Sequence, residues 1–523
     1  MTLTVVAPPA STALAFFGPG ELDHLDPRSP YTIRSGQLLG LLGRRLFDYR
    51  ASDDRTPVPD LALAIPTVAN GGVSADGRSY RFNLRRGVYW DAQGARELVA
   101  GDFVRGFKRI AHPNAAAVRR YFTDTIVGMR EYCQAYDAEL GGWQANAPDF
   151  AQFQAQHQVA GIRAVDPHTL QIDLIAPAND LLHLLATGVA AAAPREYDYY
   201  VPDSHELLRN APSAGPYRIA RARSRGSELV LEPNPRWDPD TDPVHQRPVN
   251  EIRIGGPVGD ADQPGVAWSF GTVTWTSSAE VPAPGWRFGH YLVANLRAGA
   301  AGRLAVRQAV AFAVDKAAVR DLVAGVGCAT RAAVQHGLLL TDVPQADSGS
   351  VGRAAELTRA RELLADVPID SLTLAIADTE LARQVAAVLS TNLAECGLTV
   401  QVRRLPAHRY FDALRSAGWD FALAGWTPDW YGNNGRTALE PLLRGGAEPG
   451  AGNHGGYDNP AVDRLLSEAL EEADPEQARE LWQQLERAVL ADLPIVPMVA
   501  HACGPCAAAA DAAPQLRWFA PAG

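Results

Sequence analysis

SLTLAIADTELARQVAAVLSTNLAECGLTVQVR, residues 371–403, decides the fold class. Ser371–Ala377 reads as a strand, Glu380–Glu395 as an amphipathic helix and Leu398–Arg403 as a second strand. Strand, helix and strand in that order need a crossover, so the two strands pair in parallel. Phe421–Trp426 (FALAGW) gives a further strand, and helices follow at Pro460–Glu472 and Pro475–Ala491. In the last of these Asp474 is the expected N-cap, Pro475 takes the first helical position and Gln477 closes a capping box. Its stripe of Ala478, Leu481, Trp482, Leu485, Ala488 and Val489 faces a core. Upstream, Leu304–Val323 is strongly helical.

The N-terminal half is richer in strands. Thr2–Ala7 reads as a strand, and Ser35–Tyr49 as a helix running into one. Tyr80, Phe82 and Leu84 alternate in a half-buried strand after the Asp76-Gly77 turn. A helix starts near Asp102, its expected N-cap, and residues 115–160 carry further helical patterns. Gly161–Ile175 reads as two strands around Asp166-Pro167-His168, and Gly215–Ile219 with Glu228–Glu232 as another pair. Residues 234–284 are rich in Pro, Gly and Asp and mark a lobe boundary. The architecture is mixed α/β.

The totals exclude several function classes. At 523 residues, more than one lobe is expected, and a net charge of −11 opposes binding to a phosphate backbone. No nucleic-acid partner is expected. Nearly all 48 basic residues are arginine; Lys108 and Lys316 are the two lysines, so lysine chemistry is confined to them. No apolar run approaches ~18 residues, so membrane insertion is not expected. Residues 1–27 contain no Lys or Arg and Pro8-Pro9 interrupts their short apolar stretch, so no secretory signal is read. If Met1 is the natural start, a cytoplasmic location follows; otherwise the extracellular face of the cell membrane is expected. Five scattered cysteines make no disulfide framework.

Five ordered segments carry a resemblance. They are Ser74–Gly94 with the helix after it, Val165–Asp180, SAGPYRI with LVLEPNPRW between Ser213 and Trp237, Arg303–Val319, and the set WDFALAGWTPDW, GYDNPAVDRLLSEA and LPIVPM between Trp419 and Met498. Together they resemble the peptide, oligopeptide and nickel-binding family (family 5) of bacterial ABC-transporter solute-binding proteins. The resemblance implies a two-lobe, periplasmic-binding-protein-like clamshell of type II with an extra inserted domain. Lobe I then comprises 1–47, 179–285 and 488–523, the inserted domain 48–178, and lobe II 286–487. Closure about the hinge buries a ligand that touches both lobes. The segment between Asn250 and Asn295 is shorter than usual for the family.

Asp429, in Gly425-Trp426-Thr427-Pro428-Asp429-Trp430, matches the acidic residue with which peptide-binding members hold an α-ammonium group. A carboxylate suits that task through a charge-assisted hydrogen bond; the alternative is a loop aspartate bonded to backbone amides. Backbone groups of Gly425–Thr427 would pair with an extended ligand as an added strand. Trp426 and Trp430 either line the pocket or pack in the core. Arg303 and Arg307 are assigned to structure. Asp458 and Asp463 are read as capping their helix, and His168 and His408 sit in turns.

Cys503-Gly504-Pro505-Cys506 has the spacing of a redox dithiol but lacks the strand-to-helix context such chemistry needs. A zinc site with His501 lacks a fourth ligand. No cofactor and no metal are expected, and no catalytic motif is present. The expected protein is a monomeric receptor for a peptide or peptide-like ligand, partnered by an ABC permease if exported. Two alternatives stand beside it: a cytosolic enzyme of specialised metabolism using the cleft on a peptide-like intermediate, and a cytosolic ligand sensor.

Overall fold

A computed structural model describes residues 13–17, 26, 40–50, 53–92, 94–113, 116–141, 145–222, 228–245, 247, 250–255, 266–269, 288–297, 299–324, 329–339, 352–406, 410–416, 418–430, 432–433, 435–446 and 452–503. The chain divides into two compact units, Met1–Pro282 with Pro505–Gly523, and Ala283–Gly504.

In the first unit the strands are β1 (Ala13–Phe17), β2 (Phe47–Arg50), β3 (Asp53–Pro59), β4 (Ser79–Asn83) and β5 (Ile162–Asp166). They continue as β6 (Thr169–Asp173), β7 (Tyr217–Ala222), β8 (Glu228–Pro233), β9 (Glu251–Gly255) and β10 (Val266–Ser269). Its helices are α1 (Ala100–Arg109), α2 (Ala116–Thr123), α3 (Met129–Leu140), α4 (Ala147–Gln156), α5 (Leu181–Leu185) and α6 (His205–Asn210). One sheet has the order β10-β1-β9-β8-β7, a second β4-β6-β5, and β2 pairs with β3.

The turn at Asp166–His168 and the β7–β8 pair form as the sequence predicts. The expected Thr2–Ala7 strand lies outside the described residues. In Ser35–Tyr49, residues 40–46 are turn and irregular backbone leading to β2, not helix. Asp102 is not the N-cap of α1 but its third residue, and its carboxylate accepts the Val99 N–H at 3.0 Å. Valine offers no acceptor, so the acid reaches back to the orphan donor at the helix start.

In the second unit β11 (Phe288–Ala294), β12 (Ala329–Val334), β13 (Ser371–Ala377), β14 (Thr399–Leu405), β15 (Phe421–Trp426) and β16 (Ile495–Cys503) form one sheet, ordered β12-β16-β11-β15-β13-β14. The helices are α7 (Leu304–Ala313), α8 (Lys316–Ala324), α9 (Arg353–Leu364), α10 (Glu380–Ala394), α11 (Tyr410–Ala413), α12 (Gly435–Leu443), α13 (Pro460–Glu471) and α14 (Pro475–Asp492). The parallel β13-α10-β14 crossover holds, with Ser371 to Ala377 in register against Thr399 to Leu405. Apolar cores fill both faces. Leu292, Leu372, Leu374 and Phe421 join α7, α8 and α10 on one side, while Tyr291, Val293 and Ala422 join α12, α13 and α14 on the other.

Three expectations change here. Leu304–Val323 is two helices, α7 and α8, separated at Val314-Asp315. Asp474 caps α14 by accepting from Glu476 and Gln477, but its own N–H goes to Glu472, so Gln477 closes no box. The cap of α13 is Asn459, whose Oδ1 accepts from Ala461 at 3.0 Å, in place of Asp458 or Asp463.

The reading of residues 488–523 as part of lobe I also meets a difference. β16 lies inside the second unit's sheet, antiparallel to β11 on one side and β12 on the other. Ile495, Val496, Met498 and Val499 are all buried there, and that burial fixes the strand's place. Arg307 is structural as expected: its guanidinium donates to the carbonyls of Ala301, Gly302 and Asp492.

Candidate functional site

β15 is paired along its whole length with β11, from Phe421↔Ala294 to Trp426↔Gly289. Against β13 the register is short, Phe421↔Leu374 and Ala422↔Ala375. Beyond that point the Tyr410 side chain intervenes. Its hydroxyl lies 2.7 Å from the Leu423 carbonyl oxygen and 3.0 Å from that of Ala375. One phenol therefore serves both strands where their ladder ends, and Gly425–Thr427 run on past β13. Carboxyl ends of parallel strands are where open α/β sheets bind ligands.

The segment after β15 is held by α12. Pro441 lies inside that helix and has no N–H to give the Thr437 carbonyl four residues earlier. The Trp426 indole N–H donates to that carbonyl at 2.7 Å. Thr437 also clamps Asp429: its Oγ1 accepts the Asp429 N–H at 2.7 Å and donates to the carboxylate Oδ2 at 2.9 Å. Thr437 is fully buried, whereas Asp429 is exposed. A surface carboxylate is thus fixed in place from beneath. Gly435 starts α12 against Trp482, whose ring atoms stand 2.2 Å from where a Cβ would be.

The two tryptophans part ways. Trp430 is 2% exposed and donates to the Asn433 carbonyl at 3.0 Å, so it packs in the core. Trp426 is half-buried beside Gly425 and Thr427. Sequence reasoning missed Thr437 and Tyr410; the local signal was a proline four residues after a threonine, with a tryptophan one element upstream. It also missed His290, the β11 partner of Gly425. His290 Nε2 lies 2.9 Å from His501 Nδ1. Burial, aided by the neighbouring ring, pushes His290 down to about 3, and burial pushes His501 down to about 4, so both imidazoles are neutral at pH 7.

His501 is therefore a member of β16 bonded within the sheet. Cys503 ends that strand, and Gly504, Pro505 and Cys506 lie outside the described residues, as does His408. His168 takes its turn position, with its N–H on Asp166 Oδ1 at 2.8 Å.

Among the described residues, one set of side chains has metal-ligand spacing: Asp60, Asp242 and His245. A guanidinium already fills the role of the cation. Arg44 contacts Asp60 at 2.5 Å and Asp242 at 3.2 Å, while His245 bridges Asp242 at 3.0 Å and Asp48 at 3.1 Å. Arg45 pairs with Asp48 in turn. Burial works against the charged imidazole, but Asp242 and Asp48 overcome it and hold His245 up at about 10. Arg44, Arg45 and the imidazolium match three carboxylates, which makes this a closed ion network.

The family of bacterial extracellular solute-binding proteins, family 5 (middle), matches residues 56–450, well over half of the chain. The chain belongs to this family. The periplasmic oligopeptide-binding protein OppA of Salmonella typhimurium is 24% identical over 461 residues, covering 83% of this chain and 78% of its own. A solved structure of clavulanic acid biosynthesis oligopeptide binding protein 2 is similar at a TM-score of 0.74 and 24% identity, covering 95% of this chain and 93% of its own. Haemophilus influenzae OppA in complex with RPPGFSPFR is similar at 0.68 and 16%, covering 97% of each chain. These likenesses show the two-lobe clamshell class of fold and a solute-binding protein. Among the described residues no helix is long and apolar enough to cross a membrane.

Proposed function

We propose that this solute-binding protein takes a peptide or peptide-like ligand bearing a free amino group and delivers it, as a monomer, to an ABC permease. The observation that carries the reading is the exposed Asp429 carboxylate fixed by Thr437 at the end of β15. In this reading Asp429 accepts from the ligand's ammonium. The backbone of Gly425–Thr427, running past its ladder with β13, pairs with the ligand's backbone, and half-buried Trp426 borders it. Trp430 fixes the segment from the core. Closure of the two lobes then removes water from the ion pair and strengthens it.

Relatives named for oligopeptides support the ligand class, and the family's description as extracellular supports work on the outer face of the membrane. A cytoplasmic location is the alternative that fractionation of the native host decides. Native mass spectrometry of protein purified from that host is expected to show a bound mass that fragments as a peptide. A bound mass with no peptide bonds, or conversion of the captured compound into a new one, sinks this reading.

A further inference from the structure

The helical part of the first unit contains a buried polar cluster that the solute site does not use. α1 contributes Lys108 and Arg109, α3 contributes Tyr132 and Tyr136, and α4 contributes Gln154. All five are buried. The Phe153 ring stands 5.3 Å from both tyrosine rings, and the next residue, Gln154, accepts the Lys108 ammonium on its carbonyl at 2.6 Å. Three helices therefore converge here.

Among the described residues, four polar atoms in this cluster have no hydrogen-bond partner: the hydroxyls of Tyr132 and Tyr136, Nε of Arg109 and Oε1 of Gln154. Buried polar groups nearly always have one, in protein or in ordered water or an ion. Such a concentration of orphans marks a place for a guest.

Charge decides which guest. Arg109 is paired with Asp26 at 2.5 Å, and the Asp26 N–H is taken by Asp203. Arg105 is paired with Asp198, which also accepts from Gln154 Nε2 at 3.4 Å. Lys108 differs: among the described residues its ammonium has a carbonyl and no carboxylate in ion-pair range. Burial lowers the amine to about 8, with Arg105 and Asp198 acting in opposite directions, so it is chiefly protonated at pH 7. Arg109 acts on both phenols, opposed by Asp198 at Tyr132 and by Asp137 and Asp26 at Tyr136. The groups lacking partners are mostly donors, and the unmatched charge is positive. Water satisfies hydroxyls, but it leaves a buried cation unmatched.

We propose that this cluster binds a small monovalent anion of the halide type. The Lys108 ammonium and the Tyr132 and Tyr136 hydroxyls hold it, with the Arg109 Nε–H as a further donor. The anion supplies the counter-charge that the fold omits, and it ties α1 to α3.

Crystals of the full chain grown in bromide test the proposal through the anomalous signal. The expected result is a bromide peak in hydrogen-bond contact with both phenols and Lys108 Nζ. A peak without anomalous signal, refining as water, overturns it. In solution, replacing gluconate by chloride at fixed ionic strength is expected to raise the melting temperature by about 2–4 °C. Lys108→Met is expected to abolish that difference. A combined Tyr132→Phe and Tyr136→Phe variant, which keeps both rings and their packing, is expected to do the same should the lysine variant fail to fold. Melting of the unaltered protein that ignores the anion overturns the proposal, as does undiminished anion dependence in the double phenylalanine variant.

Discussion

Asp429 and Thr437 hold one another through two hydrogen bonds, and that reciprocity shapes what substitution does. Asp429→Asn keeps the shape and the Thr437 contact but removes the negative charge. It is expected to weaken an amine-bearing peptide by about 1.5–3 kcal/mol, the range for hydrogen bonds to charged groups, without lowering the unfolding midpoint. Calorimetry and denaturant titration of the same preparation separate the two effects. His245 makes a second residue-scale case. Its folded pKa is about 10 against an ordinary 6.5, so its contribution to stability is complete below about pH 6.5 and is lost as pH rises through 10. His245→Ala leaves Asp48 and Asp242 without the cation between them. A cost of about 3–5 kcal/mol is expected in urea unfolding at pH 6, and a variant that unfolds like the parent there would remove the network from the account. Neither the clamp nor this network was legible in the sequence. Their members are separated along the chain by 8 positions in one case and 197 in the other, and polar residues carry no periodic signal.

At the scale of elements, what the sequence specifies locally is also what it reveals. β13, α10 and β14 follow one another with short connections, and their apolar spacing alone places them. β16 is different. Its partners β11 and β12 lie far upstream, so its position inside the second unit's sheet depends on long-range pairing that no window of sequence displays. The α7–α8 break at Val314-Asp315 was hidden for another reason: the apolar pattern continues across it, while Asp315 Oδ1 accepts from Ala318 and starts a new helix. α12 links this scale to the site. Gly435 is where the helix meets Trp482, and Gly435→Ala places a methyl group inside the indole. Overpacking of this kind costs about 1–3 kcal/mol. Because α12 carries Thr437, the same substitution is also expected to reduce peptide affinity. Lower stability with unchanged affinity would show that α12 does not position Asp429.

For the whole molecule, family and clamshell class were legible because five motif segments, spread from Ser74 to Met498, keep their order. Ligand identity was not: on the proposed reading the receptor pairs with backbone and amino group, which writes little of its guest into its own sequence. The account rests on recognition of an ammonium group by one carboxylate. Its most direct test is calorimetric titration with a copurified peptide and the same peptide acetylated at its amino terminus. The free peptide is expected to bind and the acetylated one to lose about tenfold or more in affinity, a loss that Asp429→Asn makes disappear. Equal affinity for the two peptides in the unaltered protein contradicts the account.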